Sequence, residues 1–328
     1  MNAASPKIIL ERLKEEWVGV ADASIYRELE LEKQLWMLAA VKALEIDDHS
    51  VTASSSDLRA SNSTSRKILS LYENKASSSF LSASNPNLEI HHLSTSPLLP
   101  KHYPNVRPLA IPGPSTQLPY ASNIFASIHA FSLPALLPAS SIPALLKDCQ
   151  RTLTSSHQPC SPAVSPTAVS FPSPSTAGSL HLTILDPSPI NSTLGPLLRA
   201  WLDTHLIVNL ERQFRCINPA RLFPIWLADA GLRAEGSTIS NVRFLASVSH
   251  DPDGFSMIDD AGQEQDVVGG ECVKQELKSM VGRMLWKEMW GPFVEGEKWW
   301  WEDEKIIEEC ESVGTCWEYA IIQAVKEA

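Results

Sequence analysis

A strand–helix–strand pattern in the middle of the chain limits its folding choices more than any other feature. Ala126 to Phe131 is a short apolar run, and Ser140 to Thr154 places Leu145, Leu146, Cys149 and Leu153 at helical spacing. Leu180 to Leu185 is a second apolar run, introduced by Gly178–Ser179 and ended by Asp186–Pro187. Two short strands joined through a helix close most economically as a parallel crossover, since only a long connection carries the chain back to start a parallel neighbour. The chain is thereby committed to an α/β sheet whose strand ends gather along one edge.

Bulk properties narrow the partners. With 328 residues, 44% of them hydrophobic, there is material for one large domain with additions. A net charge of −11 argues against general affinity for nucleic-acid backbones, which needs clustered Lys and Arg. Small-molecule or protein partners are expected instead. Met1 to Trp17 is interrupted by Lys7, Glu11, Arg12, Lys14, Glu15 and Glu16, so it lacks the apolar core of a signal peptide, and no run is long enough to cross a membrane. The cysteines at 149, 160, 216, 272, 310 and 316 form no CxxC pair, which disfavours a zinc site or a disulfide framework. Reduced thiols in a cytoplasmic or nuclear protein, with no metal, are the expectation.

Around the central unit, Ile8 to Leu44 reads as mostly helical, with Leu31, Leu35, Leu38 and Val41 in a stripe expected to face the sheet. Ile46 to Ser65 has linker composition. Lys67 to Leu71, Ser77 to Ala83 and Leu88 to Leu93 then form a βαβ unit, with a turn at Asn85–Pro86–Asn87. Val106 to Ile111 is a third strand, and Pro108 within it points to a sheet edge. Ser155 to Thr176, rich in Pro and Ser, reads as a disordered surface insertion. Leu194 to Leu210 is helical. So is Asn218 to Ala230, with Asn218 as N-cap, Pro219 at the first helical position and Gly231 at its end. Strands are expected in Arg233 to Ser247 and Trp317 to Lys326, able to pair antiparallel. Between them lie an acidic loop, Val248 to Gly270, and an amphipathic helix, Val273 to Trp290.

The stretch Leu118–Pro119–Tyr120–Ala121–Ser122–Asn123–Ile124–Phe125 before the central unit, and the Gly178-led strand that closes it, resemble the second half of a class I S-adenosylmethionine-dependent methyltransferase domain, of the type-11-like, fungal kind. The resemblance covers about residues 66–247 and the final strand. It implies a three-layer α/β/α, Rossmann-like sheet of seven strands with an N-terminal helical cap and a C-terminal helical insert. The cap and linker would be residues 1–65 and the methyltransferase-like domain 66–328. The 155–176 insertion stands where the family has a tight Pro-Gly-Gly turn, and the loop and helical insert span 248–316. It implies methyl transfer from S-adenosylmethionine to a small-molecule acceptor, chiefly by proximity and in-line orientation. A non-catalytic relative using the same sheet to bind a protein partner is the alternative.

Carried over position by position, the resemblance places Tyr72–Glu73–Asn74–Lys75–Ala76 where the family has a glycine-rich turn against the cofactor's methionine part. Tyr72, Glu73 and Asn74 are thus cofactor-site candidates without the glycines. Ser94 or Thr95 stands where the family has a ribose-binding carboxylate, and a hydroxyl gives up that charge-assisted contact. Gln117 and Leu118 fall beside the adenine. His129, near the end of its strand, is a candidate general base toward a hydroxyl, or else an ordinary half-buried histidine. Asp186 is either a ligand-facing residue at the carboxyl edge or a cap for Pro187–Ser188–Pro189. His91 and His92 point to opposite faces of one strand and cannot share a metal. Trp299–Trp300–Trp301 either stacks a flat partner or packs under a helix, and Arg212, Arg215 and Arg221 read as a solvated face.

Overall fold

The computed structural model describes residues 4–17, 21–48, 66–155, 177–248 and 265–327. In chain order the elements are α1 (Pro6–Lys14), α2 (Ala23–Asp48), β1 (Lys67–Leu71), α3 (Lys75–Ser84), β2 (Glu89–Ser94), β3 (Val106–Ala110), β4 (Phe125–Ala130), α4 (Leu133–Leu136) and α5 (Ile142–Thr152). They continue with β5 (Ser179–Leu185), α6 (Pro196–Leu202), α7 (Val208–Arg212), α8 (Pro219–Asp229), β6 (Thr238–Leu245), α9 (Gln265–Trp290), α10 (Glu304–Val313) and β7 (Cys316–Val325). A π-helical turn, Asp203–Ile207, joins α6 to α7.

The seven strands form one Rossmann-like sheet in the order β3-β2-β1-β4-β5-β7-β6. The pairs from β3 to β5 are parallel, while β7 runs antiparallel to both β5 and β6. The chain turns from one half of the sheet to the other between β1 and β4, and at such a switch point the carboxyl ends of the strands leave a crevice. The central strands bury Leu69, Leu71, Phe125, Ile128, Leu180 and Leu182, with polar residues such as Ser70, His129 and His181 set among them. Pro108 lies on the edge strand β3, where a missing N–H costs no ladder bond.

One face of the sheet is covered by α5 and α8. Leu145, Leu146, Cys149, Phe223 and Leu227 there join Leu69, Ile128, Leu180 and Ile322 in one core. The opposite core joins Val242, Phe244, Trp317 and Tyr319 to α1, α2 and α9 through Leu10, Leu13, Met37, Leu277, Val281 and Leu285. Gly282 lets α9 lie directly on β6, because a Cβ at that position would run into the Phe244 ring. The indoles of Trp286 and Trp290 donate to the carbonyls of Pro187 and Leu185, fastening α9 to the end of β5 at 2.8 and 3.2 Å.

Several expectations change here. The buried face of α2 is Met37, Ala40 and Leu44, with Leu38 and Val41 of the expected stripe half-buried against the same core, and α2 packs on α1, α3 and α9 where packing on the sheet was expected. Helix α9 begins at Gln265, so residues 265–270 are helix where a loop was expected. Asn218 precedes α8 but its side chain makes no cap bond; the Asp186 carboxylate takes the Ala220 N–H instead, at 2.8 Å. Arg215 is half-buried, its guanidinium 5.2 Å from the Phe293 ring centre, so it is no solvated face. Residues 46–48, expected as linker, are the last of α2, while residues 49–65, 156–176 and 249–264, which hold the rest of the linker, the Pro/Ser-rich stretch and most of the acidic loop, lie outside the described residues. Among the described residues no helix is long and apolar enough to cross a membrane.

Candidate functional site

The crevice at the switch point is built by the turn after β1. Tyr72 holds φ 57°, the left-handed conformation that a glycine adopts without strain and a tyrosine does not. Its ring is buried beside Leu93 and Leu118, and its hydroxyl donates to the Ser115 carbonyl and accepts the Ser115 N–H, at 2.8 and 2.9 Å. Burial pushes the Tyr72 phenol up. The strained residue therefore serves as a strut between the β1 turn and the loop before β4.

Glu73 is 4% exposed, and its carboxyl accepts the backbone N–H of Phe131, just beyond β4. Burial raises its pKa from 4.5 to about 8, more than the Phe131 bond and a Ser77 contact lower it, and the neighbouring Glu288 charge adds to the rise. The side chain is thus a neutral acid near pH 7, laid from β1 to the end of β4. Behind it, His92 accepts the Leu98 N–H at Nδ1, which leaves the proton on Nε2 to face the Glu73 carbonyl and the Ser78 hydroxyl, each at 3.0 Å. Asn74 caps α3 by accepting the Ser77 N–H at 2.8 Å and donates to a Glu288 oxygen at 2.6 Å.

The remaining candidates do not all converge on this place. Ser94 is buried at the end of β2, its hydroxyl 3.4 Å from the Ser96 N–H, while Thr95 and Gln117 are exposed. Leu118 is buried against the Tyr72 core, and its N–H donates to Asp148 of α5 at 2.7 Å. His129 pairs in register with Ser70 and His181, one step inside the sheet from the Tyr72 turn. Its ring stacks on His181 at 4.4 Å and 3°. Burial, with His181 beside it, drives its pKa down to about 3. So weak a base is a poor proton acceptor near neutrality, and the surroundings of His129 favour the packing role.

The cofactor implied by the resemblance would lie in this crevice. The backbone keeps the left-handed turn the family's glycines provide, yet in this conformation the cradle does not fit the group, because the Glu73 side chain stands in it.

Beside the crevice a second space opens. A cleft of about 750 Å³ lies between α1, α2, α9 and the tryptophan segment, lined among others by Trp17, Lys33, Arg283, Lys287, Trp299 and Trp301. Glu288 stands on its wall and joins it to the crevice through Asn74. The tryptophan triplet divides its work: Trp300 is 1% exposed and packs on Trp317, whereas Trp299 and Trp301 stack at 4.9 Å on the cleft. Sequence reasoning passed over Arg283, Lys33 and Glu288. The signal present was the row Met280, Arg283, Met284, Lys287 on one helix face, interpretable only once its partner helices are known. Among the described residues no cluster of three or more metal-ligating side chains occurs.

No protein-family model matches the chain, and no curated protein matches it. Solved structures similar in fold include a Bacillus halodurans protein described as a putative methyltransferase, at 11% identity and TM-score 0.40 over 80% of this chain and 94% of that one. Another is the Haemonchus contortus phosphoethanolamine N-methyltransferase 2 with S-adenosylhomocysteine, at 12% identity and TM-score 0.41 over 81% of this chain and 49% of that one. A third is the Streptomyces coelicolor geranyl diphosphate C-methyltransferase, at 11% identity and TM-score 0.43 over 98% and 97% of the two chains.

Proposed function

We propose that this chain is a methyltransferase-like protein that takes S-adenosylmethionine at the β1/β4 crevice once the Glu73 side chain has left the cradle, and a small-molecule acceptor in the adjoining cleft. The observation that carries the reading is the joint at Glu288, which sets an open cleft of small-molecule size directly beside the carboxyl end of β1. A carboxylate acceptor would release no proton, the proton from a hydroxyl or amine acceptor would pass to solvent, and His129, so weak a base, is given no part in the reading. The division into a cap of residues 1–65 and a domain of 66–328, and a cytoplasmic or nuclear location, belong to the same proposal.

A second reading, a non-catalytic relative that binds a protein partner, is favoured by one observation: the Glu73 side chain in the cradle. Calorimetric titration and thermal unfolding of the full chain with S-adenosylmethionine and S-adenosylhomocysteine separate the two. The enzyme reading expects heat and a raised unfolding temperature for the wild type, with tighter binding by Glu73→Ala. Neither heat nor stabilisation in the wild type leaves the non-catalytic reading standing.

A further inference from the structure

We propose that the cleft between the helical cap and α9 binds a planar organic anion, a flat ring system bearing a carboxylate-type group that meets Arg283. The inference deepens the acceptor reading and rests on it only for the cleft's role as a small-molecule site; it requires neither cofactor nor turnover.

The walls select for a flat ligand. Trp17 and Tyr26 meet edge to face at 6.2 Å on the cap side, and the stacked Trp299 and Trp301 stand on the opposite side. Met37, Met280 and Met284 fill in between, and thioethers mould to aromatic rings of differing outline. The volume of about 750 Å³ lies within the span of small-molecule sites.

The charges select for an anion. Arg283 and Lys287 are one turn apart on the same face of α9, a like-charged i, i+4 pair that weakens a helix unless something neutralises it. Lys33 reaches in from α2, its ammonium 5.2 Å from the Trp17 ring, and Lys287 sits 5.0 Å from that of Trp299. Among the described residues the Arg283 guanidinium has no hydrogen-bond or ion-pair partner, although it is half-buried. Of the acids on the cleft, Glu16 and Glu30 are exposed, and Glu288 is already engaged by Asn74 and Gln34. Burial lowers the pKa of both Arg283 and Lys33 more than the nearby charges of Glu276, and of Glu16 and Glu15, raise them. Glu276 is itself ion-paired with Lys14, so among the described residues neither cation has a carboxylate in direct contact. A ligand carboxylate on Arg283 would supply it, flanked by two lysines and with its ring between the aromatic walls.

Calorimetric titration of the full chain, without cofactor, tests this with indole-3-acetate and 2-naphthoate against their neutral isosteres indole-3-acetamide and 2-naphthamide. At least one acid is expected to bind at a single site about tenfold more tightly than its amide, the margin one charge-assisted contact supports. Arg283→Gln should erase that margin while leaving amide binding in place. Lys287→Gln, at an exposed position, keeps the test open if the first variant fails to fold, and should narrow the margin about threefold. Acids and amides binding alike, no binding by any of the four, or a folded Arg283→Gln chain that keeps the margin would overturn the proposal. Because no cofactor is present, its failure is separate from a failure to bind S-adenosylhomocysteine.

Discussion

At Glu73, a carboxyl held neutral inside the fold makes stability depend on pH. Its pKa rises from 4.5 to about 8, so between those values the folded chain holds a proton that the unfolded chain releases. The stabilisation is complete below pH 4.5 and is lost as pH climbs toward 8, amounting to a few kcal/mol as an order of magnitude, roughly. His129 and His181 act in the opposite sense, with values of about 3 and about 4 against an ordinary 6.5. Their contribution is present above pH 6.5 and lost as pH falls toward the folded values. Urea unfolding across pH 4 to 9 should therefore show the wild type losing stability on both sides of an intermediate maximum. Glu73→Gln should flatten the alkaline side and His129→Gln the acid side. A Glu73→Gln chain that keeps the wild-type alkaline decline would place the neutral carboxyl elsewhere.

Elements are positioned by a few contacts that single substitutions can probe. Gly282→Ala forces a methyl into the Phe244 ring, where α9 lies on β6. Overpacking of this kind costs about 1–3 kcal/mol, read as a lower urea midpoint with little change in slope. Asp186→Ala removes the carboxylate that caps α8 and should cost about 1 kcal/mol, while Asn218→Ala, whose side chain makes no cap bond, should cost far less. Equal losses in the two variants would contradict the cap assignment. The same contacts explain what the sequence could convey. Strands β1, β2, β4 and β5 and helix α5 were legible because short apolar-rich runs sit between turn residues and an apolar helix stripe recurs at a fixed spacing, and β3 was legible as an edge strand from Pro108. The capping of α8 by Asp186 was not, since the two meet across 34 positions of chain. Nor was the buried face of α2, because its neighbours are helices from both ends of the sequence. In the site, the loss of glycines at Tyr72–Ala76 was plain, but the inward turn of Glu73 depends on the Phe131 N–H, which no local pattern announces.

For the whole molecule, the central question is what couples the helical cap to the sheet. Three parts meet at the Glu288 carboxylate: Gln34 from α2 at 3.2 Å, Asn74 from the β1 turn at 2.6 Å, and α9, which carries it. Asn74 also caps α3, so the joint reaches the first turn of the helix that follows the crevice. The Lys14–Glu276 ion pair adds a second tie between α1 and α9, near the surface and worth less. Removing a charged partner from half-buried hydrogen bonds costs about 1–3 kcal/mol and leaves two amides without their acceptor. Glu288→Ala should consequently loosen distant segments together. Amide hydrogen exchange is expected to quicken both in α2 around residues 30–37 and in the α3 start around residues 74–78. Glu288→Gln, which keeps an acceptor oxygen but not the charge, should fall between the two chains. Faster exchange in α2 alone would mean that the cap docks on α9 independently of the crevice, and the cleft and the β1 turn would then be neighbours without being coupled.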